Sequence, residues 1–228
     1  MVKAFLRETR GPEHFVQFYE SDAFLVESVS KFIGTGLIMG DVVIVLATKA
    51  HREGFDERLR EDGLVVAVAY ERGQYISMDA AATLPEIMVE GMPDARRFSE
   101  VIGSLIARAE QEGRSVRIYG ELVALLWADG NRAGAIRLED LWNELARTHS
   151  FSLFCGYPMQ GFDREAYETE FARICMQHSR VIPTESYAQL SNLDECLRAI
   201  ALLQQKAKAL EVELAERKRA EKKLREKA

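Results

Sequence analysis

The chain has 228 residues, 47% of them hydrophobic and 29% charged, and a net charge of −6 at pH 7. That length holds one large globular domain with a buried core and an appendage, and the acidic balance argues against a body that tracks a phosphate backbone, so nucleic acid is not an expected partner. Cys155, Cys175 and Cys196 are far apart and show neither CxxC spacing nor pairing with histidine, which indicates reduced thiols in a cytoplasmic protein, not a disulfide frame or a zinc site.

The opening MVKAFLRETRGPEH lacks the apolar stretch of a signal peptide, and no run approaches the roughly 18 apolar residues of a membrane span. Residues 14–19 (HFVQFY) alternate and are rich in aromatic and β-branched types, predicting a short strand. Asp22 to Ile33 follows as a helix with Leu25, Val29, Phe32 and Ile33 on one face, and Gly34 and Gly36 supply its stop. Val42–Ala47 is a continuous apolar run of the kind buried on both faces of a parallel sheet. Thr48 caps a helix that ends near Gly63, and Val65–Tyr70 and Gln74–Met78 are predicted as two further strands. Helices are expected over Ala80–Glu90, broken by Gly91-Met92-Pro93, and over Asp94–Glu112. A strand at Arg114–Tyr119, a helix at Asn131–Thr148, a strand at Phe151–Tyr157 and a helix at Asp163–Ser179 complete the alternation. Six strands alternating with helices predict an α/β fold: a mostly parallel sheet covered by helices on both faces.

After Pro183 the character changes. From Ser191 to Ala228 there is no Gly or Pro, and Leu193, Cys196, Ile200, Leu203, Ala207, Leu210 and Leu214 step by alternating threes and fours. Such a seam marks either a two-stranded coiled coil or one amphipathic helix laid on its own domain, and the heavily charged remaining faces favour the coiled coil.

An alternating β/α chain invites a search for phosphate loops. A Walker loop needs GxxxxGK[ST], and no Gly-Lys pair exists in this sequence. The run from Gly34 to Gly40 imitates a dinucleotide fingerprint but lies after a helix and before a strand, the reverse of what phosphate binding requires. Where a phosphate loop would sit, the chain reads Tyr19-Glu20-Ser21-Asp22; carboxylates there suit the helix dipole and repel phosphate. They either cap the helix or form the mouth of a pocket at the C-terminal edge of the sheet. His14, His51, His149 and His178 show no metal-ligand spacing, so no metal is expected. His14, at a strand start, is either structural or part of a site. Glu121 follows a strand as a capping or pocket-lining acid, having no phosphate loop to act on as a base. Tyr119, Trp127, Phe154, Cys155, Tyr157 and Met159 gather near two strand ends, as core or as an apolar ligand lining. No GxSxG elbow occurs.

The runs HFVQFYESDAFLVESVSKFIGTGL, GDVVIVLATKAHREGF, GQYISMDAAATL, IYGELVALLWADGN, RLEDLWNELA and FSLFCGYPM, in that order, resemble the MEDS family of bacterial and archaeal sensory domains over roughly residues 12–180. The resemblance implies a RecA-like three-layer sandwich that has lost its phosphate loop, no cofactor, and a small ligand such as a hydrocarbon derivative. It also implies attachment to a histidine kinase or another output module, to which ERKRAEKKLREKA resembles a charged helical lead-in. Residues 1–13 are too short for the DNA-binding helix-turn-helix that some relatives carry there.

The expected organisation is an N-terminal extension (1–13), an α/β sensory domain (14–182), and a linker with a coiled-coil signalling helix (183–228). The expected function is non-catalytic: binding of a small molecule, relayed through a homodimeric coiled coil. The alternatives are a degenerate nucleotide-binding protein and an interaction scaffold. The candidate ligand residues are His14, Tyr19, Glu20, Asp22, Tyr119, Glu121, Trp127, Cys155 and Tyr157. The candidate dimer residues are Leu193, Ile200, Leu203, Leu210 and Leu214.

Overall fold

A computed structural model describes residues 12–161, 170–188, 190 and 192–225. Most of the 1–13 extension and the first part of the helix expected at 163–179 lie outside the described residues. The chain divides into an α/β body that ends at Ser186 and a C-terminal unit that begins at Tyr187.

Strand β1 is His14–Tyr19 and leads into α1, Asp22–Met39. Ser21 is the N-cap, its hydroxyl accepting from the Phe24 amide, and Asp22 adds a favourable charge to the first turn. The helix runs past Gly34 and Gly36, which were expected to stop it, and ends at Gly40 in the left-handed conformation, φ 86°. Those two glycines serve packing instead. A Cβ on Gly36 would stand 2.7 Å from Arg117 Cδ and 2.9 Å from Val43 Cγ2, so the missing side chain lets α1 press onto the sheet.

Strand β2 (Val42–Ala47) is buried along its whole length, and Thr48 caps α2 (Lys49–Glu61) as expected. The strand expected at Val65–Tyr70 is a short helix, α3 (Val66–Glu71). Its burial falls at Val66 and Ala69, a spacing of three, while Val65 and Tyr70 face outward; in so short an apolar run the two periods look alike. Next come β3 (Tyr75–Asp79) and α4 (Ala80–Glu86), which Asp79 caps. This helix is shorter than expected. Glu90 and Gly91, both at positive φ, instead form the two-residue turn of a hairpin between β4 (Met88–Val89) and β5 (Met92–Pro93).

Helices α5 (Ala95–Phe98) and α6 (Ser104–Gln111) are joined by a π-helical turn at Ser99–Gly103. Strand β6 (Val116–Gly120), α7 (Leu122–Ala128), α8 (Arg132–Leu145) and β7 (Phe151–Pro158) follow. Helix α9 (Glu170–Gln177), the short edge strand β8 (Arg180–Ile182), absent from the expected set, and the single turn α10 (Glu185–Ala188) complete the described run.

Six strands pair, all in parallel, in the order β3-β2-β6-β7-β1-β8. Alternate residues feed two cores. Phe15, Val43, Val45, Tyr119 and Phe154 meet α1, α2 and α3 on one face; Val16, Phe18, Ile44, Ile118, Leu153 and Tyr157 meet α4 to α9 on the other. This is the expected three-layer α/β arrangement, with helices on both faces of a parallel sheet. The chain leaves β1 and β2 toward the first face and β6 and β7 toward the second, so β1/β7 and β2/β6 are neighbours whose helices diverge. The crevice between such strands, at their C-terminal ends, is where open α/β sheets receive ligands.

In the C-terminal unit, α11 (Leu193–Arg225) is a continuous helix of 33 residues along which Leu193, Ile200, Leu203 and Leu210 lie exposed. Among the described residues no helix is long and apolar enough to cross a membrane.

Candidate functional site

At that crevice the ends of β1, β2 and β6 each contribute polar groups. Glu121, the residue after β6, is buried and does not cap α7 with its side chain. It turns toward β2, where one carboxylate oxygen accepts from the Thr48 amide at 2.8 Å and the other from Tyr119 Oη at 2.8 Å. The same second oxygen is hydrogen-bonded to His51 Nδ1 in the first turn of α2. The far side of the ring, Nε2, lies 3.5 Å from Asp22 Oδ1. His51 thus bridges a buried carboxylate and an exposed one, with Phe55 stacked at 6.0 Å and Tyr19 edge-on at 6.5 Å. Burial opposes a charge on His51, but the hydrogen bond and charge of Glu121, joined by Asp22, outweigh it and raise the ring's pKa. Burial, Glu121 and Asp22 together push the Tyr19 hydroxyl upward, so it stays a neutral donor.

The turn after β1 has its own anion. Glu185 accepts from the backbone amides of Glu20 and Ser21 at 3.0 and 2.7 Å and from the Ser21 hydroxyl at 2.6 Å. Amides opening a helix are the groups a phosphate would use, and here a carboxylate of the same chain holds them. Burial works to raise the Glu185 carboxyl, and the Ser21 hydroxyl with the backbone amides outweighs it, leaving it below the usual range.

A second cluster lies on the opposite face of the sheet, inside the core. His14 opens β1, Cys155 is mid-β7, Glu139 is on α8, and His178 follows α9. His14 Nε2 is 3.4 Å from Cys155 Sγ and 3.3 Å from Glu139 Oε2, and His178 Nε2 is 3.5 Å from the same oxygen. Tyr157 Oη donates to the other Glu139 oxygen at 2.8 Å, and Trp127 sits edge-on to the Tyr157 ring at 6.3 Å. Burial works to raise the Glu139 carboxyl; His178, His14 and Tyr157 outweigh it and lower it. Burial lowers His178, and burial with the charge of Glu139 raises the Cys155 thiol.

The nine candidate residues therefore separate. Tyr19, Glu20, Asp22, Tyr119 and Glu121 share the crevice; His14, Cys155 and Tyr157 share the buried cluster, with Trp127 beside it. Two crevice groups, His51 and Glu185, and two cluster groups, Glu139 and His178, were not among them. His51 was readable by position, three residues past the helix cap Thr48 that follows β2. Glu139 was readable as a charge on the apolar stripe of Ala135, Leu138 and Trp142. His178 and Glu185 carried no such signal. A further cleft of about 240 Å³ lies near the start of β2, lined in part by Arg72, Arg108 and Glu112, and none of the nine lines it.

The parallel sheet between two helical layers, with the Glu185 carboxylate on the turn where a phosphate loop would lie, defines a three-layer α/β domain. The sequence model of the MEDS family, described as MEthanogen/methylotroph, DcmR Sensory domain, matches residues 13–172, and the chain belongs to that family. Among solved structures, one described as a structural study of Project ID PH0250 from Pyrococcus horikoshii OT3 is similar in fold. It is 12% identical, covers 81% of this chain and 88% of its own, and has a TM-score of 0.51. No curated protein matches the chain.

Proposed function

We propose that this chain is a non-catalytic sensory input module that takes a small, non-anionic molecule at the crevice formed by Tyr19, Asp22, His51, Tyr119 and Glu121. Occupancy is passed through the C-terminal helix to a histidine kinase or another output module. Membership of a sensory family supports the class. The observation that carries the mechanism is the Glu185 carboxylate, which closes on the turn after β1 two residues before the C-terminal unit begins. A ligand that displaces Asp22 or reorients the turn changes what Glu185 can hold, and so the start of the following helix. The sensor needs only a ligand whose affinity differs between those two states.

The charges set the ligand class. Asp22 and Glu121 flank the His51 imidazole, and Glu20 and Glu185 meet at the turn after β1, so the field of these carboxylates repels phosphates and carboxylates and admits neutral or cationic molecules, small hydrocarbon derivatives among them. The same field disfavours the alternative of a surviving nucleotide site. Native mass spectrometry of the purified chain tests the proposal. An added mass larger than a metal ion, lost on stronger activation and absent from Glu121→Gln, is expected. No added mass, together with saturable binding of a fluorescent ATP analogue, would overturn it in favour of nucleotide binding.

A further inference from the structure

The buried cluster contains more acceptors than protons. His178 Nδ1 lies 2.7 Å from the Ile174 carbonyl oxygen, which can only accept, so Nδ1 carries the hydrogen. His14 is fixed in the same way through a longer chain. Gln177 Nε2 donates to Asp140 at 2.6 Å, which turns Gln177 Oε1 toward Asn143; Asn143 Nδ2 donates to that oxygen at 2.9 Å and to the Gln177 carbonyl at 3.2 Å. Asn143 Oδ1 therefore faces His14 Nδ1, 3.0 Å away, and accepts from it. When neutral, both rings present an Nε2 lone pair to the cluster: His14 Nε2 lies 3.3 Å from Glu139 Oε2 and has the Cys155 thiol as its hydrogen-bond partner at 3.4 Å, and His178 Nε2 lies 3.5 Å from Glu139 Oε2. Glu139 Oε2 and His178 Nε2 are buried without a hydrogen-bond partner, an arrangement that costs free energy unless a cation sits between them.

We infer that His14, Glu139, Cys155 and His178 bind one divalent first-row transition metal ion, zinc being the best match. The ligand atoms of the four residues all lie within 4.8 Å of one another, with His14–Glu139, His14–Cys155 and His178–Glu139 at 3.3, 3.4 and 3.5 Å. Ligands about 2.0–2.3 Å from a tetrahedral ion stand about 3.3–3.8 Å apart. A proton can bridge one of these pairs; a metal ion bridges all four. The glutamate and a cysteine thiolate cancel the charge of a divalent ion, so the loaded site is neutral inside the core. Two nitrogens, one oxygen and one sulfur suit zinc or cobalt over the hard ions magnesium and calcium. The hydrogen bonds from each Nδ1 are the outer-shell partners that orient histidine ligands at metal sites. His14, with 11% of its side chain exposed, marks the way in. The four ligands come from β1, α8, β7 and the segment between α9 and β8, so the ion would pin the last part of the body to its core.

The test uses the full chain, made in zinc-supplemented medium and desalted, with metal content measured by plasma mass spectrometry. About one zinc per chain is expected. The chelator-stripped chain titrated with cobalt should give the intense visible bands of a tetrahedral ion and a near-ultraviolet sulfur-to-cobalt band. Cys155→Ser should lose the ultraviolet band. Asn143→Ala keeps all four ligands and should weaken affinity about 10–100-fold. Because ligand variants of a buried site can unfold, the wild-type measurements decide. Metal content below about a tenth of an equivalent with no tetrahedral cobalt spectrum would overturn the inference. So would a cobalt spectrum that Cys155→Ser leaves unchanged together with a cobalt affinity that Asn143→Ala leaves unchanged.

Discussion

His51 lies between Glu121 and Asp22, with Tyr19 and Phe55 against its ring, and these neighbours give its charge state a consequence for stability. Its pKa in the folded chain is raised above the unfolded value of about 6.5. A raised histidine contributes stability that is fully present below the unfolded value and is lost as pH rises through the folded one. The melting temperature should therefore fall on going from about pH 6.5 into the alkaline range. His51→Gln keeps a donor toward Glu121 and cannot titrate, so it should flatten that interval of the curve. Equal slopes for the wild type and His51→Gln would show that the charge resides elsewhere. The residues of this site differed in how visible they were in the sequence. Tyr19, Asp22 and Glu121 stand at predicted strand ends, where topology alone gathers side chains. Glu185 and His178 reach their partners only through the pairing of β8 beside β1, a three-residue strand with too little apolar pattern to be seen.

At the scale of elements, strong patterns were legible and short ones were not. The unbroken apolar run of β2 and the capped start of α2 needed no tertiary context. Helix α1 was cut short in the sequence because glycine signals either a helix end or a close approach, and the neighbour that decides between them, Arg117, is 81 residues from Gly36. Arg117 is buried and bonded to Asp41 at 2.6 Å, so its stem cannot swing aside to admit a methyl group. Val43 is equally confined within β2. Gly36→Ala should gain about 1 kcal/mol of helix propensity and lose more to overpacking, a net loss of about 1–2 kcal/mol. Gly34→Ala meets only flexible side-chain ends, Leu59 Cδ2 at 3.3 Å and Leu64 Cδ1 at 3.6 Å, and should be neutral or slightly stabilising. Urea unfolding of both variants checks this. If Gly36→Ala were as stable as Gly34→Ala, the close contact of α1 with the sheet would not limit its packing.

For the whole molecule, the proposed relay depends on what α11 does. A helix of 33 residues with Leu193, Ile200, Leu203 and Leu210 exposed at spacings of seven, three and seven, which Cys196 and Ala207 divide into threes and fours, has an apolar seam that one chain leaves in water. Burying such side chains favours association at roughly 25 cal/mol per Å² of apolar surface, and the Ile and Leu of the seam suit a two-stranded pair. Cys196 and Ala207 are small for seam positions, and the expected register meets Arg217 and Glu221 toward its end, so the proposed pairing rests on the N-terminal half of the helix. That half is also the part next to the sensory body in the chain, where a change at Glu185 would arrive first. Sedimentation velocity of the full chain should show a dimer. Leu203→Glu combined with Leu210→Glu should convert it to a monomer, leaving the thermal transition of the α/β body in place. A monomeric wild type would remove paired helices as the output, and the sensory body would then have to act on its partner through the single helix.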